Sequence, residues 1–285
     1  MTSLIRRAIR RVSEFRTHID EAERQSRADQ FLSLRHGALI DPPNGRFWFQ
    51  SMPLPDGNRI LGASGDPSRE QKLWSACFGT SRDCLRGKRV LDVGANDGFF
   101  SIAALLCGAA SVNAVNTPAL SHGTFPANLQ YAAAQWGVSP QVTVDDFINL
   151  PSNGPKYDAV LFFGVLNHLE NVYAGMRAVE RVLAPGGTIY LETQVSANAS
   201  ALPMMELASD VYATTVPQHR DTLDSVGNSN FLLPNELAVR ALGATFGLTV
   251  DALPPNLYEE VFGGSGRRRV FVLTRAADRK VQPKG

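Results

Sequence analysis

The chain has 285 residues, of which 44% are hydrophobic and 19% are charged, and its formal net charge is +1. This composition is typical of a globular protein and excludes a disordered chain, and the small net charge excludes a global attraction to nucleic acid or to an anionic membrane. No apolar run is long enough to cross a bilayer, and arginines interrupt the first apolar residues, which argues against a secretory leader. The three cysteines form no CxxC pair, so we expect a cytoplasmic protein with reduced thiols, without structural zinc and without a membrane partner.

The N-terminal third is predicted to form a helix and a cap segment, residues 1–87. Apolar residues recur at helical spacing from 1 to about 33, while acidic residues from Glu14 onward argue against a mitochondrial targeting sequence. We interpret this helix as a packing or homodimer helix, in preference to one that binds RNA or a membrane surface. The Pro- and Gly-rich residues 41–66 predict loops and a short hairpin, followed by a helix near 68–78.

From residue 88 to residue 285, strand and helix patterns alternate, which favours a mostly parallel sheet. Gly108 and Gly137 follow helical runs as C-terminal caps, and Pro185-Gly186-Gly187 ends another helix. Residues 193–233 interrupt this alternation of strands and helices, and we interpret them as an insertion that forms a lid over the site. The prediction is therefore an α/β fold with a doubly wound, seven-stranded sheet, its strands at 89–93, 111–115, 141–144, 159–163, 188–192, 248–252 and 270–274.

Residues 89–100, RVLDVGANDGFF, form the most informative stretch of the chain. An apolar strand, a glycine-bounded loop and an apolar helix follow one another, an order that places a ligand at the carboxyl end of a parallel strand. Gly94 and Gly98 permit close backbone approach and positive φ. A dinucleotide loop would read GxGxxG, but Asn96 stands at the central glycine and the third glycine is absent, so a nicotinamide oxidoreductase is disfavoured. A purely structural turn is the simpler alternative.

Three further strand ends carry polar residues that would meet at the same edge of the sheet. The second strand ends at Asn116-Thr117, the third is followed by Asp146-Phe147, and the fourth leads into the loop at residues 163–168. Each has a simpler interpretation: Asn116 as a turn residue before proline, the aspartate as part of a solvated turn, and His168 as a structural histidine.

Ordered blocks of this sequence resemble class I S-adenosylmethionine (SAM) methyltransferases, in particular the group related to the tRNA wobble-uridine (carboxy)methyltransferases. The resemblance runs from about residue 47 to residue 275. The blocks that carry it are Trp48-Phe49 with Leu54-Pro55-Asp56-Gly57, GKRVLDVG at 87–94, GVLNH at 164–168, PGG at 185–187, LET at 191–193 and NFLLP at 230–234.

The resemblance implies SAM as the cofactor and a set of residues that bind it. Asn116 stands where the family usually has an acid that accepts hydrogen bonds from the ribose, and Asp146-Phe147 stands where an acid and an apolar side chain meet adenine. The implied cofactor-binding residues are Asp92, Gly94, Asn96, Asp97, Gly98, Phe99, Asn116, Thr117, Asp146, Phe147, Phe163 and Gly164.

His168 is the first candidate for a catalytic base, because an imidazole can take a proton from an acceptor hydroxyl near neutral pH. His219, in the insertion, is the alternative base, although the insertion is equally consistent with a lid or an oligomer contact. No HxxxH or HExxH pair occurs, so no metal is expected. The candidate substrate-binding residues are Trp48, Asn167, Tyr212 and Arg268.

The favoured prediction is O-methylation of a small molecule, a natural product or a sugar, by in-line transfer from SAM with a histidine base. The alternative enzyme is a tRNA wobble-uridine methyl or carboxymethyl transferase, which is not favoured because the chain is nearly neutral and Asn167 replaces a tyrosine common in that group. A non-catalytic SAM-binding or scaffold protein is the third interpretation.

Overall fold

The structure, a computed structural model of the chain, describes residues 20–63, 65–117, 123–207, 232–258 and 266–275. Within these ranges there are six α-helices: α1 (Glu21–Phe31), α2 (Arg69–Phe78), α3 (Phe99–Leu106), α4 (Ala127–Gln135), α5 (Val172–Val182) and α6 (Glu236–Thr245). The strands are β1 (Leu39–Ile40), β2 (Met52–Pro53), β3 (Arg59–Ile60), β4 (Arg89–Val93), β5 (Ser111–Asn116), β6 (Gln141–Val144), β7 (Tyr157–Phe163), β8 (Leu183–Ser196), β9 (Met205–Leu207), β10 (Leu232–Pro234), β11 (Leu248–Ala252) and β12 (Gly266–Arg275).

The central sheet has seven strands in the order β11-β12-β8-β7-β4-β5-β6. Neighbouring strands from β6 to β8 are parallel, and β12 runs antiparallel to both β8 and β11. The chain proceeds from β4 outward through β5 to β6 and then returns to β7 on the other side of β4. This reversal makes the carboxyl ends of β4 and β7 the topological switch point, where sheets of this kind bind ligands.

The predicted doubly wound sheet is confirmed, and four of its strands, β5, β7, β8 and β12, are longer than predicted, β8 by the most. β8 begins at Leu183, before Pro185-Gly186-Gly187, because these residues form a bulge: the pairing with β7 moves from Leu183 opposite Tyr157 to Thr188 opposite Ala159. At its other end β8 continues to Ser196, because β12 pairs with it along that whole length. Residues 193–196 therefore belong to β8 and not to the predicted insertion, whose residues 208–231 lie outside the described part of the chain.

The two faces of the sheet are covered by separate apolar clusters, as the alternation of side chains along a strand requires. On β4, Val90 packs into one cluster with α3, whereas Leu91 and Val93 pack into the other with α5. No helix in the described ranges is long and apolar enough to cross a membrane.

α1 begins at Glu21, after an extended N-cap at Asp20, and packs on the first face; residues 1–19 of the predicted N-terminal helix lie outside the described residues. The ring of Phe31 lies 4.8 Å from that of Phe99 and 5.1 Å from that of Trp136, measured between centroids. On the same helix, Arg24 donates to the carbonyl of Leu106 at the end of α3, and Arg27 donates over 2.8 Å to the carbonyl of Trp136 after α4. α1 therefore satisfies carbonyl groups that helix ends leave without partners. A homodimer through this helix stays a prediction.

Candidate active site

The loop between β4 and α3, residues 94–98, lies at the switch point and is held against β5. The amides of Gly94 and Ala95 donate to the carbonyl of Val115 over 2.9 and 3.2 Å. The backbone is left-handed at Gly94 (φ 72°), Asn96 (φ 48°) and Gly98 (φ 90°), and Asn96 is the one non-glycine residue with positive φ among those described. These left-handed residues let the backbone turn tightly between β4 and α3.

There is also no room for a side chain at either of the two glycines of this loop. A Cβ added to Gly94 would lie 2.7 Å from Cγ2 of Val165, and one added to Gly98 would lie 2.6 Å from Cγ of Leu129. Since real Cβ atoms do not approach other atoms so closely, any side chain at either position would displace a neighbour. The first contact shows that the loop after β7 lies directly against the loop after β4.

Asp92, two residues before this loop, is buried and accepts a hydrogen bond of 2.6 Å from the Ser101 hydroxyl. Burial raises the pKa of the Asp92 carboxyl to about 7, because a charged carboxylate is poorly solvated there, and the hydrogen bond from Ser101 only partly offsets this effect. The carboxyl is therefore poised to gain or lose a proton near neutral pH.

Asn116 ends β5 beside the same loop and is 3% exposed. Its Nδ2 is buried and has no hydrogen-bond partner among the described residues. A buried amide without a partner is destabilising by about 1–3 kcal/mol, so such a group in a site indicates a ligand that offers an oxygen. Thr117, the next predicted residue, is half-buried.

At the end of β6, the structure separates the two residues of the predicted adenine pair. Asp146 is half-buried and accepts from the amide of Ile148 over 3.0 Å, capping a short 3-10 turn. The Phe147 ring is buried and lies 5.7 Å from the ring of Phe162, inside the core. Asp146 therefore stands at the edge of the sheet, and contact of Phe147 with adenine stays a prediction.

The loop after β7 is fixed by bonds to β8. Gly164 has positive φ (68°) and donates its amide to the carbonyl of Glu192 over 2.9 Å. Asn167 is fully buried, and its Oδ1 accepts a 3.1 Å hydrogen bond from the Thr193 hydroxyl. His168 follows at the end of a 3-10 turn and is half-buried. Asn167 thus holds the turn that presents His168.

An ion pair lies beneath this turn. Nη1 of Arg268 lies 2.6 Å from each carboxylate oxygen of Glu192, and both residues are buried. A Cβ added to Gly164 would lie 3.5 Å from that nitrogen. Arg268 is thus next to the predicted site and pairs with Glu192, an acid outside the predicted set of site residues. An acid within the apolar strand at Leu191-Glu192-Thr193 was the available signal.

Three other predicted site residues either bond to backbone amides or pack in the core. Asp97 is buried, and its carboxylate accepts bonds from the amides of Phe49 and Gln50. Phe99 is fully buried against α1. Trp48, predicted to contact substrate, is 2% exposed, with its ring 6.2 Å from that of Tyr131.

The structure therefore brings part of the predicted set together at one edge of the sheet. The residues at this edge are Asp92, Gly94, Asn96, Gly98, Asn116, Asp146, Gly164, Asn167 and His168. Phe163 lies just below them, its ring 4.7 Å from that of Phe100. Tyr212 and His219 fall outside the described residues, and their predicted roles stay predictions. The described residues contain no cluster that could hold a metal ion.

Comparison with known proteins identifies the family. Residues 71–228, more than half of the chain, match the family model described as "Methyltransferase domain". A tRNA U34 carboxymethyltransferase of Methylococcus capsulatus is 34% identical over 112 residues, which are 39% of this chain and 33% of that protein. The one from Pseudomonas syringae pv. tomato is 31% identical over 136 residues, 48% of this chain and 38% of that protein. The chain thus matches less than two fifths of the length of these relatives.

Solved structures share the fold at lower identity. The N-terminal domain of EvdMO1, crystallised in the presence of SAH and D-fucose, has a TM-score of 0.52 and 19% identity, covering 90% of this chain and 97% of that one. A putative sarcosine dimethylglycine methyltransferase from Galdieria sulphuraria has a TM-score of 0.53 and 13% identity, covering 74% and 87%.

The residues at the sheet edge fit the cofactor of this family. The glycine loop offers close backbone approach, and the unpartnered buried Nδ2 of Asn116 suits the oxygen of a ribose hydroxyl. The matched family, the fold and this fit agree with the resemblance noted in the sequence. The chain belongs to the methyltransferase domain family and is a class I SAM-dependent methyltransferase.

Proposed function

We propose that the protein transfers the methyl group of SAM to a hydroxyl oxygen of a small molecule, with His168 as the general base. The observation that supports this is the position of His168. Val165 lies against Gly94 of the cofactor loop, and His168 comes three residues later on the same short turn. A base on that turn is close to the start of the residue 94–98 loop, where, in this proposal, an acceptor hydroxyl loses its proton.

In this proposal Gly94, Asn116 and Asp146 hold the cofactor, and Asp92 joins the end of β4 to α3 through its bond with Ser101. SAM supplies an electrophilic methyl group on a sulfonium when it is bound. The protein's own residues align the acceptor, exclude water and take up one proton at a nitrogen of His168. Alignment alone can contribute on the order of 7–11 kcal/mol, so the site needs few reactive groups. Asn167, bonded to Thr193, keeps the turn in one place.

Three observations support a small acceptor over a nucleic acid. The net charge is +1, and Asn167 replaces the tyrosine common in the tRNA-modifying group. The sequence likeness to the two tRNA enzymes described above covers 39% and 48% of this chain, whereas the likeness in fold to the EvdMO1 domain covers 90% of it. D-fucose in that crystal makes deoxysugars and their glycosides the first acceptors to assay.

The test is transfer of label from methyl-labelled SAM to a panel of hydroxylated acceptors, with products identified by mass. His168→Gln should lower kcat by about 10²–10³-fold and leave the Kd for SAM unchanged, because the base acts on the acceptor and not on the cofactor. His36→Gln, at an exposed histidine of the cap segment, is the matched control and should keep full activity. Full activity of His168→Gln would contradict the assigned base.

A second candidate is modification of the tRNA wobble uridine, which the relatives at 31% and 34% identity favour. It requires binding of tRNA that weakens steeply with salt, because phosphate contacts release counterions. Transfer of the methyl group, or of a carboxymethyl group from carboxylated SAM, to tRNA lacking the modification would establish it. Inertness toward such tRNA, together with turnover of a small acceptor, would eliminate it.

A further inference from the structure

The cap segment is bonded to the cofactor loop through a buried polar network. We name residues 47–51 the docking segment. Oδ2 of Asp97 accepts from the amides of Phe49 and Gln50 over 2.7 and 2.8 Å. Its Oδ1 accepts over 2.8 Å from Asn128 Nδ2, which also donates over 2.8 Å to the carbonyl of Phe47. One carboxylate of the cofactor loop therefore fixes the docking segment both directly and through α4.

A second link joins Gln50 to the helix that follows the cofactor loop. The first amides of a helix have no partner within it, and Gly98, before α3, has no side chain to cap them. Oε1 of Gln50 accepts from the amide of Phe99, the first residue of α3, over 3.1 Å. A residue 49 positions upstream thus provides the missing cap.

The docking segment is packed closely against Gly62. A Cβ added to Gly62 would lie 2.4 Å from the carbonyl carbon of Gln50 and 2.6 Å from the carbonyl oxygen of Phe49. The amide of Gly62 donates to the Ser51 hydroxyl over 3.0 Å. Gln50 is 4% exposed and Asp97 is 3% exposed, so water does not replace these bonds when one is lost.

We propose that Gln50 is a positioning residue for SAM: it acts through the Phe99 amide and, with Asp97, holds the residue 94–98 loop in its binding conformation. The inference rests on SAM use by this chain and not on the identity of the acceptor. The N-terminal cap is then part of the cofactor site, although its side chains need not touch the cofactor. Losing the cap bond leaves the loop free to adopt conformations that do not bind, and this weakens binding in proportion to their population.

The test is calorimetric titration of SAM into the full-length protein and two matched variants. Gln50→Met keeps the size of the side chain but removes the acceptor, and we expect its Kd for SAM to rise about fivefold or more. Gln71→Met is the control, because Gln71 is equally buried but bonds to Arg59 of the cap and not to the loop. It should lower thermal stability and leave the Kd for SAM within about twofold of the wild-type value.

Hydrogen exchange on the wild-type protein provides a test that needs no variant. Saturating SAM should slow exchange at the amides of Phe49 and Gln50, which donate to Asp97. If exchange there does not change, or if Gln50→Met binds SAM as the wild type does, the positioning role is wrong while SAM use stands. If the folded wild-type protein does not bind SAM at all, the cofactor assignment itself fails.

Discussion

At the scale of single residues, Asp92 makes the stability of the domain depend on pH. Its pKa is raised by burial from 3.8 to about 7, so the folded protein holds this proton more tightly than the unfolded chain does. The stabilisation is fully present below about pH 4, and it is lost as the pH rises through about 7.

The substitution Asp92→Asn removes this titration and keeps the shape of the side chain. The free energy of unfolding, measured by urea titration, should therefore fall between pH 4 and 7 for the wild type but not for the variant, so that the variant becomes more stable relative to the wild type. The expected gain is on the order of 3–4 kcal/mol, since one pKa unit corresponds to about 1.4 kcal/mol. The variant has a constant deficit from its altered bond to Ser101, so the difference in slope is the quantity to compare. Parallel pH curves would show that Asp92 titrates normally.

At the scale of elements, α1 stabilises the domain by satisfying the carboxyl ends of two other helices. The Arg24 side chain is 14% exposed and donates to the carbonyls of Leu106 and Arg82. Arg86 is bonded to the same acids as Arg24, Glu21 and Asp83, but its side chain is 52% exposed. Substitutions at the two arginines can therefore distinguish the effect of capping a buried carbonyl from the effect of a surface ion pair.

Arg24→Met should lower the free energy of unfolding by about 1–2 kcal/mol, because a charged donor to a poorly solvated carbonyl is lost. Arg86→Met should lower it less, because exposed ion pairs are screened by water and salt. Chemical denaturation of both variants in low and high salt checks this. Equal losses for the two arginines would mean that the bond to Leu106 contributes nothing beyond surface electrostatics.

Also at this scale, the sequence predicted the presence of the central strands better than it predicted where some of them begin and end. The strand from Arg89 to Val93 was found with its observed bounds, because apolar runs between turn residues identify buried strands. The beginning of β8 was missed, since Pro185-Gly186-Gly187 is typical of a loop and only pairing with β7 reveals it as a bulge. Its continuation to Ser196 depends on β12, which lies some 70 residues away along the chain and leaves no local pattern.

At the scale of the whole molecule, the location of the site was predictable and its supporting contacts were not. The alternating pattern predicted a mostly parallel sheet, in which the carboxyl ends of the strands share one edge, and the observed strand order brings Gly94, Asn116 and His168 to that edge. The bond that the Phe99 amide donates to Gln50 joins residues 49 positions apart, and the bond that Arg268 donates to Glu192 joins residues 76 positions apart. The helix and strand periodicities describe only residues that are near one another in the chain, so they cannot predict such long-range pairs.

The central claim is that the edge of the sheet formed by the residue 94–98 loop and Asn116 binds SAM. Calorimetric titration of SAM into the wild-type protein tests it most directly, with circular dichroism to verify that the sample is folded. We predict saturable binding of one SAM per chain. A folded protein that gives no binding heat with SAM at any of several temperatures would contradict the account.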